Sequence, residues 1–243
     1  MKIYSSVFSF LILLLMSVST LAGDYANPNF IGFSKDGKFL AFEEYGTQDG
    51  SGFPYSNFYF VNIEKNSFAA PPVSVRIDKE MATEIMARNK AQLIAANKLR
   101  ELKIIKGNTG KHVVSHLIND LTFDKDSGAG ASGVVRFAAE IGSMYRKGFY
   151  ELSLKPVLTK TKDCEAFEQK TFRFELSLKD KENNTTKFLQ KDAELPKSRG
   201  CALGYRIQDI YLYENNIAVF LNVFRLGFEG PDMRFMVVSG KLK

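Results

Sequence analysis

Phe30–Ile63 reads FIGFSKDGKFLAFEEYGTQDGSGFPYSNFYFVNI, and its pattern sets the fold class. Apolar and aromatic residues recur in short runs of the kind that form β-strands. Asp36-Gly37 separates the first two runs, and both residues tolerate the positive φ angles of a tight hairpin turn. A longer stretch, YGTQDGSGFPYSN, separates the second run from the third. The segment therefore predicts antiparallel strands joined by one tight and one open connection.

The pattern changes after Arg76. Asp78 to Lys103 lacks Gly and Pro and is rich in Ala, Leu, Met, Lys and Glu, which favours a helix. The spacing places Met81, Ala82, Ile85, Met86, Leu93, Ala96 and Leu99 on one broad face, expected to pack on a sheet. Asp78 is the expected N-cap. Strand patterns return from Lys111: HVVSHLI, GVVRFAAEIG, GFYELSLKPVL and KTFRFELSLKD, followed by a hairpin through KDKENNTTK.

The end of the chain repeats the order of parts at its start. DIYLYENNIAVFLNVFRLGFEGPDMRFMVVSGKL has a strand, an Asn215-Asn216 turn, a strand, a Gly/Pro loop and a strand. Asp36-Gly37 lines up with Asn215-Asn216, and the first open loop with RLGFEGPD. The expected fold is mainly β, with antiparallel sheets in a sandwich-like arrangement and one long helix over 78–103. FSKDGKFLAF is similar over about ten residues to the blade repeat of periplasmic β-propellers, whose repeats take roughly 40–50 residues each. A small irregular propeller is thus the alternative.

The first 22 residues read as a secretory signal peptide: Lys2, an apolar run from Val7 to Val18, then Thr20 and Ala22 placed for cleavage. The apolar run is shorter than the roughly 20 residues of a membrane span. The expected mature chain is one secreted β-rich domain, residues 23–243, without a transmembrane segment. Cys164 and Cys201 are the two cysteines, and in an oxidising compartment two cysteines point to one disulfide. Free or reactive thiols are the alternative. The net charge of +6 is scattered along the chain without a block, so nucleic acid is not an expected partner.

Chemistry-bearing patterns are few. His112 and His116 lie in a strand pattern, about 13 Å apart at 3.3 Å per residue, too far for one zinc. No G-x-S-x-G element occurs. Asp124 and Asp126 in DKDSG begin like a calcium loop but lack its later ligands. No metal or cofactor is expected. Glu43 and Glu44 are adjacent on a strand and must point to opposite faces; a buried one needs a partner, for which Arg76, Arg136 and Arg225 are candidates.

The open loop is the candidate working surface. Tyr45, Phe53 and Tyr55 offer aromatic area, and Gln48, Asp49, Ser51 and Asn57 offer polar groups, a mixture suited to sugars, peptides or proteins. The matching C-terminal loop would add Arg225, Phe228, Glu229 and Asp232, with Arg234, if the two units pack together. A long connection held by its own Asp and Asn turns is the plain alternative.

FIGFSKDGKFLAFEEYGTQDGSGFPYSNFYFVNI, the Cys164/Cys201 pair and SRGCALGYRIQDIYLY together resemble a family of predicted secreted bacterial proteins of unknown function. That resemblance implies export to the Gram-negative periplasm and brings no activity with it. The reading that follows is a non-enzymatic binding or interaction protein for an envelope protein, peptide or saccharide. The alternatives are a cell-envelope hydrolase using Asp49 with Glu229 or Asp232, and a purely structural envelope protein.

Overall fold

In the computed structural model of the chain, the described residues are 23–116, 133–141, 146–165, 169–228 and 230–243. The expected signal peptide, the DKDSG stretch and Glu229 lie outside them.

The first four strands, β1 (Asn27–Phe33), β2 (Phe39–Thr47), β3 (Pro54–Asn62) and β4 (Ser67–Arg76), form an antiparallel sheet in chain order. Gly37, at φ 65°, makes the β1–β2 turn, and the Asp36 carboxylate accepts from the Ser34 hydroxyl and the Lys38 amide. Pro71-Pro72 falls where the β3–β4 register slips, between Phe60↔Ala70 and Phe58↔Val73, since proline cannot donate to a ladder.

Helix α1 (Glu84–Glu101) lies on the outer face of this sheet. It is shorter than expected, and its buried face differs from the predicted one. Ala87, Ala91 and Ala95 are buried against Ile31, Ala41, Phe58, Phe60 and Val75, with Leu99 at the edge. Met81, Ile85, Met86 and Leu93 are exposed. Small side chains let the helix backbone approach the aromatic surface closely, so packing distance overrode hydrophobic periodicity. Asp78 is not the N-cap: Thr83 occupies that position, and Asp78 is engaged by Arg76.

After β5 (Lys111–Ser115) the chain builds a separate antiparallel meander of β6 (Gly133–Ile141), β7 (Arg146–Thr159), β8 (Thr171–Asp180) and β9 (Thr185–Lys191). It then returns through β10 (Ala202–Tyr213), which pairs with β5, and completes the middle sheet with β11 (Asn216–Leu226) and β12 (Pro231–Lys241) in the order β12-β11-β10-β5. A short helix, α2 (Lys162–Glu165), carries Cys164, which is bridged to Cys201 just before β10.

The middle sheet is buried on both faces. Ala218 and Phe220 on β11 face the first sheet, meeting Phe33, Leu40 and Phe42. The alternate residues Ile217, Val219 and Leu221 face the third sheet, meeting Leu152, Leu154 and Phe174. The protein is therefore a stack of helix, first sheet, middle sheet and third sheet. This agrees with the sandwich-like expectation. A propeller would arrange such four-stranded units around a shared axis, whereas here the outer sheets cover opposite faces of the middle one.

The two repeat-like units meet at the turns that the sequence aligned. Asn216 Nδ2 donates to the Gly37 carbonyl at 3.1 Å, and the Tyr213 hydroxyl donates to the Lys35 carbonyl at 3.1 Å. Phe33 stacks on Tyr213. Among the described residues no helix is long and apolar enough to cross a membrane.

Candidate functional site

The open loop is shorter than its composition suggests. β2 runs to Thr47 and β3 starts at Pro54, so Tyr45, Tyr55 and Asn57 belong to strands. The tip is held by itself: Gln48 N–H donates to Phe53 O, Gly50 N–H to Asp49 Oδ1, and Phe53 N–H to Ser51 Oγ. Asp49, Ser51 and Phe53 thus act as turn residues here.

Strand alternation sends Glu43 and Glu44 to opposite faces, as expected, and both are buried. Glu43 faces α1. Arg88 grips it through Nε and Nη2, each at 2.9 Å, and the Ser56 hydroxyl adds a donor at 3.0 Å. Arg88 also lies over the Tyr45 ring at 3.8 Å, which places Tyr45 on the helix side. The partner is none of the three arginines expected: Arg76 binds Asp78, and Arg136 binds Glu151. Glu44 faces the middle sheet, where it accepts from Tyr59 Oη at 2.7 Å, Asn57 Nδ2 at 3.3 Å and the Phe235 amide at 2.9 Å. Burial and the neighbouring Glu44 carboxylate push the Tyr59 hydroxyl well above its ordinary pKa.

The start of the described chain closes this end of the molecule. Asp24 to Ala26 run alongside β12, with backbone bonds from Met233 to Asp24 O and from Ala26 to Met233 O. The Asp24 carboxylate is buried, takes the Tyr55 hydroxyl at 2.9 Å and forms an ion pair with Arg234. Its amide donates to Asp232 Oδ1 at 3.1 Å. Burial disfavours the Arg234 charge, but Tyr55, Asp24 and Glu44 outweigh it and raise its pKa. Burial is the first cause that raises the Tyr55 pKa; Arg234 partly opposes it, while Asp24 and Glu44 add to it.

Between the ends of β3, β4, β11 and β12 lies an open cleft of ≈ 330 Å³. Four of the predicted residues line it together: Gln48, Tyr55, Asn57 and Arg225. Arg234, expected like Arg225 on condition that the two units pack, joins them, and so do Ser74, Val75 and Arg76. Arg76 holds Asp78 through Nε at 2.6 Å and Nη2 at 2.9 Å, and its Nη1 reaches Gln48 Oε1 at 3.5 Å. The hydrogen bonds of this pair raise the Arg76 pKa and lower that of Asp78. Tyr45, Asp49, Ser51, Phe53, Phe228 and Asp232 do not line the cleft; Phe228 is largely exposed. Ser74 and Val75 carry no signal in the sequence beyond a strand pattern, and the role expected of Arg76 is that of partner to a buried glutamate.

Two other expected features have local roles. His112 Nε2 sits 2.8 Å from Asp209 and its ring stacks on Tyr211, whereas His116 Nδ1 sits 3.1 Å from the Ile207 carbonyl. Among the described residues no group of three or more His, Cys, Asp or Glu could hold a metal ion.

A family model described as predicted secreted protein (DUF2259) matches residues 41–241. The match runs from within β2 to the end of β12, taking in the C-terminal unit and the first unit beyond its opening strand and turn, which agrees with the resemblance drawn from the first and last stretches. No curated protein and no solved structure matches the chain.

Proposed function

The chain belongs to this family of predicted secreted proteins, and from that premise we propose that it is a non-enzymatic periplasmic binding protein whose working surface is the arginine-lined cleft. In this reading residues 1–22 are the removed signal peptide and 23–243 form one domain. The observation that carries it is convergence. Residues far apart in sequence, Gln48, Asn57, Arg76 and Arg225, come from two sheets to line one cleft. The size suits a small ligand or one side chain of a partner.

The hydrolase alternative draws less support. It needs two carboxyls facing one cleft at roughly 5–10 Å. Asp49 serves its own turn, and Asp232 holds the Asp24 amide.

The test is crosslinking in cells. A photo-crosslinking residue at Asn57 is expected to trap a partner or ligand that the same group at Leu158, an exposed position on β7, does not trap. Identical patterns at the two positions, or none at Asn57, would overturn the reading. Native mass spectrometry of protein isolated from its own periplasm would identify a retained ligand.

A further inference from the structure

We infer that the cleft recognises a carboxylate, held between Arg76 on one wall and Arg225 on the other. The inference rests on the cleft being a binding site and names the chemistry it selects. The described lining contains three guanidiniums, two amides and no carboxylate, so it is rich in donors. The three arginines are not equivalent. Arg234 is fixed: its side chain is 13% exposed and that of its partner Asp24 is 5% exposed. Arg76 is exchangeable, because its pair with Asp78 is about half exposed on both sides, 51% and 52%, and such pairs contribute little.

That exposed pair also shows what the fork of Arg76 accepts. Asp78 occupies Nε and Nη2 as a two-point partner, the geometry in which guanidinium and carboxylate planes match. An incoming carboxylate can replace it there. Gln48 Oε1 lies 3.5 Å from Nη1, at the outer limit of a hydrogen bond. Arg225 reaches the same cleft from β11 of the middle sheet, where its charge acts on Tyr59.

The surrounding charge favours a monoanion over a dianion. The buried carboxylates of Asp24 and Glu44 lie behind the wall, Asp78 is paired at its rim and Asp232 stands 3.9 Å from Arg234, so no net positive charge is left over and the cleft offers an anion directed donors rather than a cationic field. A phosphate dianion would meet that negative shell, whereas a carboxylate carries one charge and two acceptor atoms. Its source is either a free organic acid or the acidic side chain of a peptide.

The test uses the mature, isotope-labelled protein and follows the Nε–H signals of Arg76 and Arg225 by NMR. The probes are lactate, a terminally blocked Ala-Glu-Ala peptide, inorganic phosphate and maltose. Lactate or the peptide is expected to move both signals saturably, and the stronger of the two identifies the source. Arg225→Gln is expected to weaken binding about tenfold or more, the loss of one charge-assisted contact. Asp78→Asn is expected to tighten it, because the internal competitor is gone; a stabilising role alone would not produce that gain. Stronger binding of phosphate, or weaker carboxylate binding in Asp78→Asn, would overturn the inference. Binding of maltose alone, or of no probe while the Asn57 crosslink persists, would overturn it and leave the binding reading standing. Loss of both the probes and the crosslink would remove both.

Discussion

Two buried Asp–Arg–Tyr clusters stand in different parts of the stack. In the first, Asp24 pairs with Arg234, whose guanidinium lies 5.1 Å from the Tyr55 ring centre, at the join between the first and middle sheets. In the second, Asp192 pairs with Arg199 at 2.5 Å, and Arg199 lies 5.7 Å from the Tyr205 ring centre, beside the third sheet. Both carboxylates are almost fully buried. Their settings differ. Arg199 stands two positions before Cys201, so the Cys164–Cys201 bridge anchors that cluster covalently. The Asp24 cluster has no bridge, is reached by the first described residues of the chain, and forms a wall of the cleft. Similar chemistry thus stands beside the third sheet in one case and shapes an opening at the join of the first and middle sheets in the other.

The largest effect that would sharpen this contrast comes from the arginines. Arg234→Ala leaves Asp24 buried without its counter-charge and is expected to lose about 3–5 kcal/mol in urea unfolding, with Arg199→Ala in the same range. A near-neutral result for either would show that its cluster is not buried in solution. Removing the bridge by Cys164→Ser/Cys201→Ser opens a 37-residue separation and is expected to lose roughly 4 kcal/mol on the loop-entropy model. The probe affinities of the cleft should fall less than the stability, since neither cysteine lines the cleft, although Cys201 adjoins Ala202, the cross-strand partner of Arg225. Equal loss of cleft binding would break the comparison.

Smaller effects follow. Tyr55→Phe removes a donor from Asp24 and is expected to lose about 1–2 kcal/mol, measured by the same unfolding curves. Acid should act on the second cluster. Burial alone would raise the Asp192 pKa, but hydrogen bonds from Arg199, Gln190 and the Phe174 amide outweigh it and hold the carboxyl below its ordinary value. The stability from this depressed pKa is present above the unfolded value of about 3.9 and is lost as pH falls through the folded one. Stability curves from neutral to acid pH should fall less steeply for Asp192→Asn than for the unaltered protein. The smallest effect is expected at the rim: Asp78→Asn, on a half-exposed pair, should leave the urea midpoint unchanged while tightening carboxylate binding.

The folding pattern was legible wherever it depends on neighbours in sequence. Alternation marked β1 to β3 and β10 to β12, and Asp36-Gly37 marked a turn. The signals failed where a residue's role depends on a distant partner. The buried face of α1 is the clearest case. Its large apolar residues pointed to one surface by spacing, yet the helix buries Ala87, Ala91 and Ala95, because contact with Phe58 and Phe60 requires small side chains. Glu43 was expected to need an arginine, and the one it has, Arg88, arrives on the helix from 45 positions away.

By itself, then, the sequence determined the mainly β class, the helix and the pairing of two cysteines, which depend on composition or local periodicity, and its resemblance pointed to a family of predicted secreted proteins. Only the tertiary structure decided the order of the layers, the two-sided burial of the middle sheet and the cleft. Gln48, Arg76, Arg225 and Arg234 meet there because the first and middle sheets pack face to face. That packing is the sum of many weak contacts between Phe33, Leu40, Phe42, Phe220 and their neighbours, and no single motif along the chain records it.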